Sequence, residues 1–136
     1  MKKNASRLDS EVVARGLAAS RERARALIRA AAAAGAVMAG ATDTQVASIE
    51  QFASHLGLAF QIVDDILDVE GASQDLGKTA GKDAAAGKPT YPALYGLEMS
   101  RQMAADCVSR ALGALQEGRL EGHLPSIATW VTSRSN

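Results

Sequence analysis

The sequence predicts an all-α protein, an antiparallel helical bundle. Three observations point there. Alanine and aliphatic residues recur at three- and four-residue steps over long stretches, the period of a helix face. Aromatic residues make up only 4% of the chain, which suits close-packed helices better than an aromatic-rich β-sandwich. Three prolines leave long uninterrupted segments. With 136 residues, 47% of them apolar, the chain can bury one core and forms one domain at most.

The elements follow in order. Residues 1–9 read as a loose arm. Residues 10–39 form helix, with Val12, Val13, Leu17, Ala24, Leu27, Ile28, Ala31, Ala34 and Met38 sharing a broad apolar face. Gly16 and Gly35 weaken it by about 1 kcal/mol each if interior, and Gly40 marks a stop. Thr42 or Asp43 caps the next helix, which runs over 44–70 with Val46, Ile49, Phe52, Leu56, Phe60, Val63 and Leu67 on its apolar side. His55 lies opposite Asp64 and reads as a packing or surface residue. Glycine-rich residues 71–89 form a loop. Thr90 or Tyr91 then caps a helix that Pro92 opens and that extends to Glu117, with Cys107 in its core face. Residues 118–124 break the chain. Residues 125–132 form a short helix anchored by Trp130, and 133–136 are a tail in which Arg134 is a bystander.

Charge excludes some functions. Fifteen basic residues balance fifteen acidic ones, so there is no general case for nucleic acid. The basic residues of the first thirty positions are interleaved with alanine rather than clustered. No segment is long and apolar enough to cross a bilayer, and no signal peptide follows Lys2-Lys3. Cys107 is the only cysteine, so the chain holds no internal disulfide, and a reducing cytoplasm fits.

The chemistry concentrates in Phe60-Gln61-Ile62-Val63-Asp64-Asp65-Ile66-Leu67-Asp68-Val69. At about 100° per residue, Asp64 and Asp68 stand in line one turn apart, with Gln61 one turn earlier and Asp65 at the edge of the same face. Carboxylates spaced i,i+4 repel each other by a few tenths of a kcal/mol when exposed, and by more when partly buried. A hard divalent cation relieves that cost, and Mg²⁺ shares its remaining positions with water and substrate phosphates. The bland alternative is a solvated acidic face. Behind the strip, Lys78, Lys82 and Lys88 punctuate the glycine-spaced loop and could supply positive charge for a diphosphate, the bland alternative being solvated lysines that aid solubility.

FQIVDDILDV, then GKTAGKD, then GKPTYPALYGLE resemble the C-terminal half of the trans-isoprenyl diphosphate synthases, the polyprenyl synthetase family, in register from about Ala26 to about Gly118. The resemblance implies a single partial polyprenyl synthetase domain over 1–136, with 71–89 as its substrate-side loop. It implies Mg²⁺-dependent condensation of isopentenyl diphosphate with an allylic diphosphate. Asp64, Asp65 and Asp68 match the family's second aspartate-rich motif and would hold the metal. Lys78 and Lys88 match lysines that contact the diphosphate, and Phe60 and Gln61 match a pair that lines the substrate cavity. Arg23 and Ala24 stand where the family carries Lys-Thr, keeping the charge and losing the hydroxyl.

The family's first aspartate-rich motif has no counterpart, since Asp64-Asp65 is the only adjacent aspartate pair in the chain. Inward apolar faces would then need cover, from a second copy of the chain or from a polypeptide carrying the missing half. Two alternatives remain open: a non-catalytic or vestigial subunit that binds diphosphate or a partner synthase, and a terpene cyclase using the same ionisation.

Overall fold

A computed structural model describes residues 21–74 and 89–134. Among them are five helices and no strand: α1 (Arg21–Met38), α2 (Asp43–Gln74), α3 (Tyr91–Tyr95), α4 (Leu97–Glu117) and α5 (Leu124–Ser133). The expected helix over 10–39 is described only from residue 21, and the arm over 1–9 lies outside the described residues.

Helix α1 ends because Gly40 takes φ +78, a left-handed conformation that costs glycine little. The amide of Ala41 then reaches back to the carbonyl of Ala36 at 3.0 Å, closing the turn. Helix α2 starts at a reciprocal cap. The Gln45 amide donates to the Thr42 hydroxyl at 3.3 Å, and the Thr42 amide donates to Gln45 Oε1 at 3.0 Å. Thr42 is therefore the cap, as the sequence allowed. At its other end α2 continues to Gln74, four residues past the expected stop, so Gly71 is helical rather than the first residue of a loop.

The expected single helix over 92–117 is two. The Thr90 hydroxyl accepts from the Ala93 amide at 3.3 Å and starts α3. Gly96 breaks the run, with φ +79 and ψ 162. An L-residue there would be strained, so a glycine inside an apparently continuous pattern marks a real boundary. Ser100, fully buried, donates its hydroxyl to the Gly96 carbonyl at 2.7 Å and ties the new start down.

Helices α2 and α4 are antiparallel and form the core. Near the end of α2, Glu70 pairs with Arg101 at the start of α4. Near the start of α2, Ser48 meets Gly118 at the end of α4 so closely that an added Cβ would lie 2.6 Å from Ser48 Cβ. Ala59, Ile62 and Ile66 of α2 pack with Ala104, Ala111, Ala114 and Leu115 of α4, and Ala128 and Val131 of α5 close the end. Alanines at the crossing let the helix axes approach.

Two expectations about packing are corrected. Trp130 is 56% exposed, and the anchors of α5 are Ala128 and Val131 instead. Leu27 and Met38, assigned to the apolar face of the first helix, are 52% and 88% exposed. Helix α1 packs on α2, yet none of its described side chains is fully buried. Periodicity locates an apolar face without saying whether the chain itself covers it.

Candidate functional site

The acidic strip rides on the buried seam of α2. Ile62, Val63 and Ile66 face the core, and this pins the neighbouring Asp64, Asp65 and Asp68 to the outer side of the helix. The three carboxylates meet different surroundings. Asp64 is ion-paired with Arg134, and the two side chains are only 17% and 16% exposed. Asp65 Oδ2 accepts from the amide of Tyr91 at 3.2 Å, which fastens the start of α3 to the strip. Asp68 is exposed.

The sequence reads Arg134 as a bystander in a tail. It is instead seated on the strip. Its amide donates to the Trp130 carbonyl at 3.1 Å, which carries the residue straight off the end of α5. Its guanidinium lies 4.0 Å from the centre of the Phe60 ring and 5.9 Å from that of Trp130. Besides pairing with Asp64, Nη2 donates to the Phe60 carbonyl at 3.3 Å. No local signal announces this pairing, because seventy residues separate the partners. The available hint is a cation one turn past Trp130, just after an apolar helix.

Phe60 and Gln61 line a cleft of about 890 Å³ between α1, α2, α4 and α5. Its walls include Ile28, Phe52, Leu56, Leu58, Leu124 and Ile127, with Arg25, Arg29 and Arg110 among the polar residues. His55 also lines it, so its place is the cleft wall rather than the acid strip. Cys107 reaches the same wall, and burial pushes its thiol above the ordinary 9.0. Burial likewise raises the Tyr91 phenol above its ordinary 10.0; Cys107, Asp65 and Tyr95 add to the shift and Arg25 opposes it. Charges on α1 and α2 and the Cys107 thiol of α4 thus all act on Tyr91. Arg23 is exposed on α1. Lys78, Lys82 and Lys88 lie outside the described residues.

Among the described residues, no three of His, Cys, Asp and Glu converge closely enough to enclose a metal ion unaided. The donor set still fits Mg²⁺, which uses one or two carboxylates and leaves its other positions to water and phosphate oxygens.

The polyprenyl synthetase model matches residues 4–126. The chain belongs to the polyprenyl synthetase family. A putative geranylgeranyl pyrophosphate synthase 8 of Arabidopsis thaliana, chloroplastic, is 43% identical over 113 residues, which cover 82% of this chain and 31% of that protein. A chloroplastic geranylfarnesyl diphosphate synthase of Leucosceptrum canum is 54% identical over 79 residues, covering 58% of this chain and 22% of that protein. A mitochondrial geranylgeranyl pyrophosphate synthase 10 of Arabidopsis thaliana is 42% identical over 113 residues, covering 82% and 33%. The chain therefore matches between 22% and 33% of the length of these relatives. This polyprenyl synthetase chain is all-helical among its described residues, and no helix there is long and apolar enough to cross a membrane.

Proposed function

We propose that the chain serves a prenyltransferase of isoprenoid biosynthesis, contributing the second acidic motif and one wall of the prenyl cavity. One observation carries the reading: a strip of three aspartates on a helix whose preceding turn, Phe60-Gln61, lines an apolar cleft. A charged end and an apolar slot one helical turn apart suit a diphosphate joined to a hydrocarbon chain.

In this reading the diphosphate of an allylic substrate lies over Asp64, Asp65 and Asp68, and its prenyl chain enters the cleft past Phe60. Asp64, Asp65 and Asp68 would hold Mg²⁺, which would supply the positive charge that neutralises the leaving group. The allylic C–O bond breaks and its electron pair departs with the diphosphate. The double bond of isopentenyl diphosphate attacks the allylic cation, and loss of a proton completes the new chain. Lys78 and Lys88, by resemblance, balance the departing diphosphate. Arg23 supplies the charge that the family places in its Lys-Thr pair. The apolar cleft excludes water, which would otherwise capture the cation.

The exposed apolar side of α1 supports a second requirement. The chain works as a homo-oligomer or with a polypeptide that carries the rest of a relative's length. The compartment we infer is the cytoplasm, on the strength of a single cysteine with no partner in the chain. A second reading is a subunit that binds diphosphate without turnover.

Calorimetric titration with geranyl diphosphate, with and without Mg²⁺ and with light scattering on the same sample, tests the site. Mg²⁺-dependent binding that Asp68→Asn weakens is expected. Binding by a well-folded sample that ignores both metal and substitution overturns the reading. Turnover of geranyl plus isopentenyl diphosphate then separates the enzyme from the silent subunit.

A further inference from the structure

The contact least explained by the family relationship is Arg134. Its guanidinium is held on three sides: by the Phe60 ring at 4.0 Å, by the Phe60 carbonyl at 3.3 Å, and by Asp64. Phe60 and Asp64 are one helical turn apart, so one nitrogen bridging both fixes the Asp64 carboxylate against its own helix. The seating is also incomplete. Arg134 Nε is buried and has no hydrogen-bond partner among the described residues. A planar guanidinium with one buried N–H unmet gives up less on leaving than a fully satisfied one.

These features serve two needs of an acidic strip. Without metal, Asp64 and Asp68 one turn apart repel each other, and a nearby cation relieves part of that repulsion. With metal, the same carboxylate must be released. We propose that Arg134 is a positioning residue for the strip: it neutralises and aims Asp64 from the end of α5, and an incoming divalent cation takes its place. The cleft lies beside the same seat, since Phe60 and Trp130 are both in its wall. Release of Arg134 therefore uncovers one face of the Phe60 ring as the metal arrives. The inference rests on the metal reading of the strip given above.

Mn²⁺ alone is the probe, its free fraction read by electron paramagnetic resonance, with thermal melting followed by circular dichroism in the absence of metal. Arg134→Gln removes the competitor. It is expected to melt below the wild type without metal and yet to bind Mn²⁺ about five- to tenfold more tightly, the ratio set by losing one part-buried charge-assisted contact. A merely structural arginine would lower the melting temperature and leave metal affinity unchanged or weaker, and that result overturns the proposal. Arg134→Lys keeps the charge but not the flat stacking on Phe60, and should fall between the two. If Arg134→Gln fails to fold, a lysine variant binding Mn²⁺ no more tightly than wild type overturns the proposal equally. Asp64→Asn separates the two readings. If it abolishes Mn²⁺ binding while Arg134→Gln changes nothing, the metal strip stands and the exchange falls. If it leaves Mn²⁺ binding intact, both fall.

Discussion

Helices α1 and α4 invite comparison. Both are alanine-rich, of 18 and 21 residues. Helix α4 buries Ser100, Ala104, Cys107, Val108, Ala111, Ala114 and Leu115. Helix α1 leaves Leu27, Val37 and Met38 more than half exposed. The difference lies in position more than composition. Helix α4 runs antiparallel along α2 and is covered at one end by α5, whereas α1 has α2 on one side and the cleft beside it. Similar local sequences thus acquire opposite energetic roles. One forms the core, and the other presents an apolar surface of the kind that oligomers and assembled domains cover.

Unequal responses to substitution would sharpen this contrast, and equal ones would break it. The largest effect is expected at the α2–α4 seam. Ile62 is fully buried, so Ile62→Ala should cost about 2–5 kcal/mol in urea unfolding. Next comes Gly118→Ala, whose methyl would meet Ser48 at 2.6 Å; a loss of about 1–3 kcal/mol is expected in the same measurement. Its counterpart in α1 has the opposite sign. A methyl on Gly35 meets nothing within 4 Å, and Gly35→Ala should stabilise the chain by about 0.5–1 kcal/mol through helix propensity. If Gly35→Ala destabilises instead, α1 packs more tightly than described and the comparison fails.

Smaller effects come from titration of Tyr91 and Cys107. The Cys107 thiol and Tyr91 phenol are both pushed up, mainly by burial. The folded chain then keeps these protons to higher pH than the unfolded chain does. Stability from these groups is intact below their ordinary values of 9.0 and 10.0, and is lost as pH rises through the raised ones. Melting temperature should fall across that alkaline window, and Cys107→Ala should remove the thiol's share. The smallest expected change is in the tyrosine titration itself. Arg25 of α1 lowers the Tyr91 value, so Arg25→Gln should move the 295 nm absorbance transition to still higher pH. No movement would mean that the Arg25 charge does not reach Tyr91.

Much of this molecule was legible locally. Short-range rules announce the Thr42 cap, the Gly40 stop, the Thr90 cap and the three aspartates on one side of α2, because each depends on residues within a turn or two. The split at Gly96 is not legible locally because an apolar pattern continues through it, and only backbone conformation shows the break. The extension to Gln74 was missed because Gly71 reads as a loop residue, and propensity is a weak prior. The exposure of Trp130 is not legible either, because size suggests burial while the cleft beside it leaves the ring open.

By itself the sequence determined the helical class, most helix ends, the acidic strip and the family resemblance, since period, caps and motifs are written in consecutive residues. Tertiary structure alone decided which apolar faces are covered, that Phe60 and Gln61 border a cleft, and that Arg134 sits on Asp64. Those outcomes depend on surfaces brought together across as many as seventy residues, and burial and charge pairing between distant segments leave no trace in local spacing.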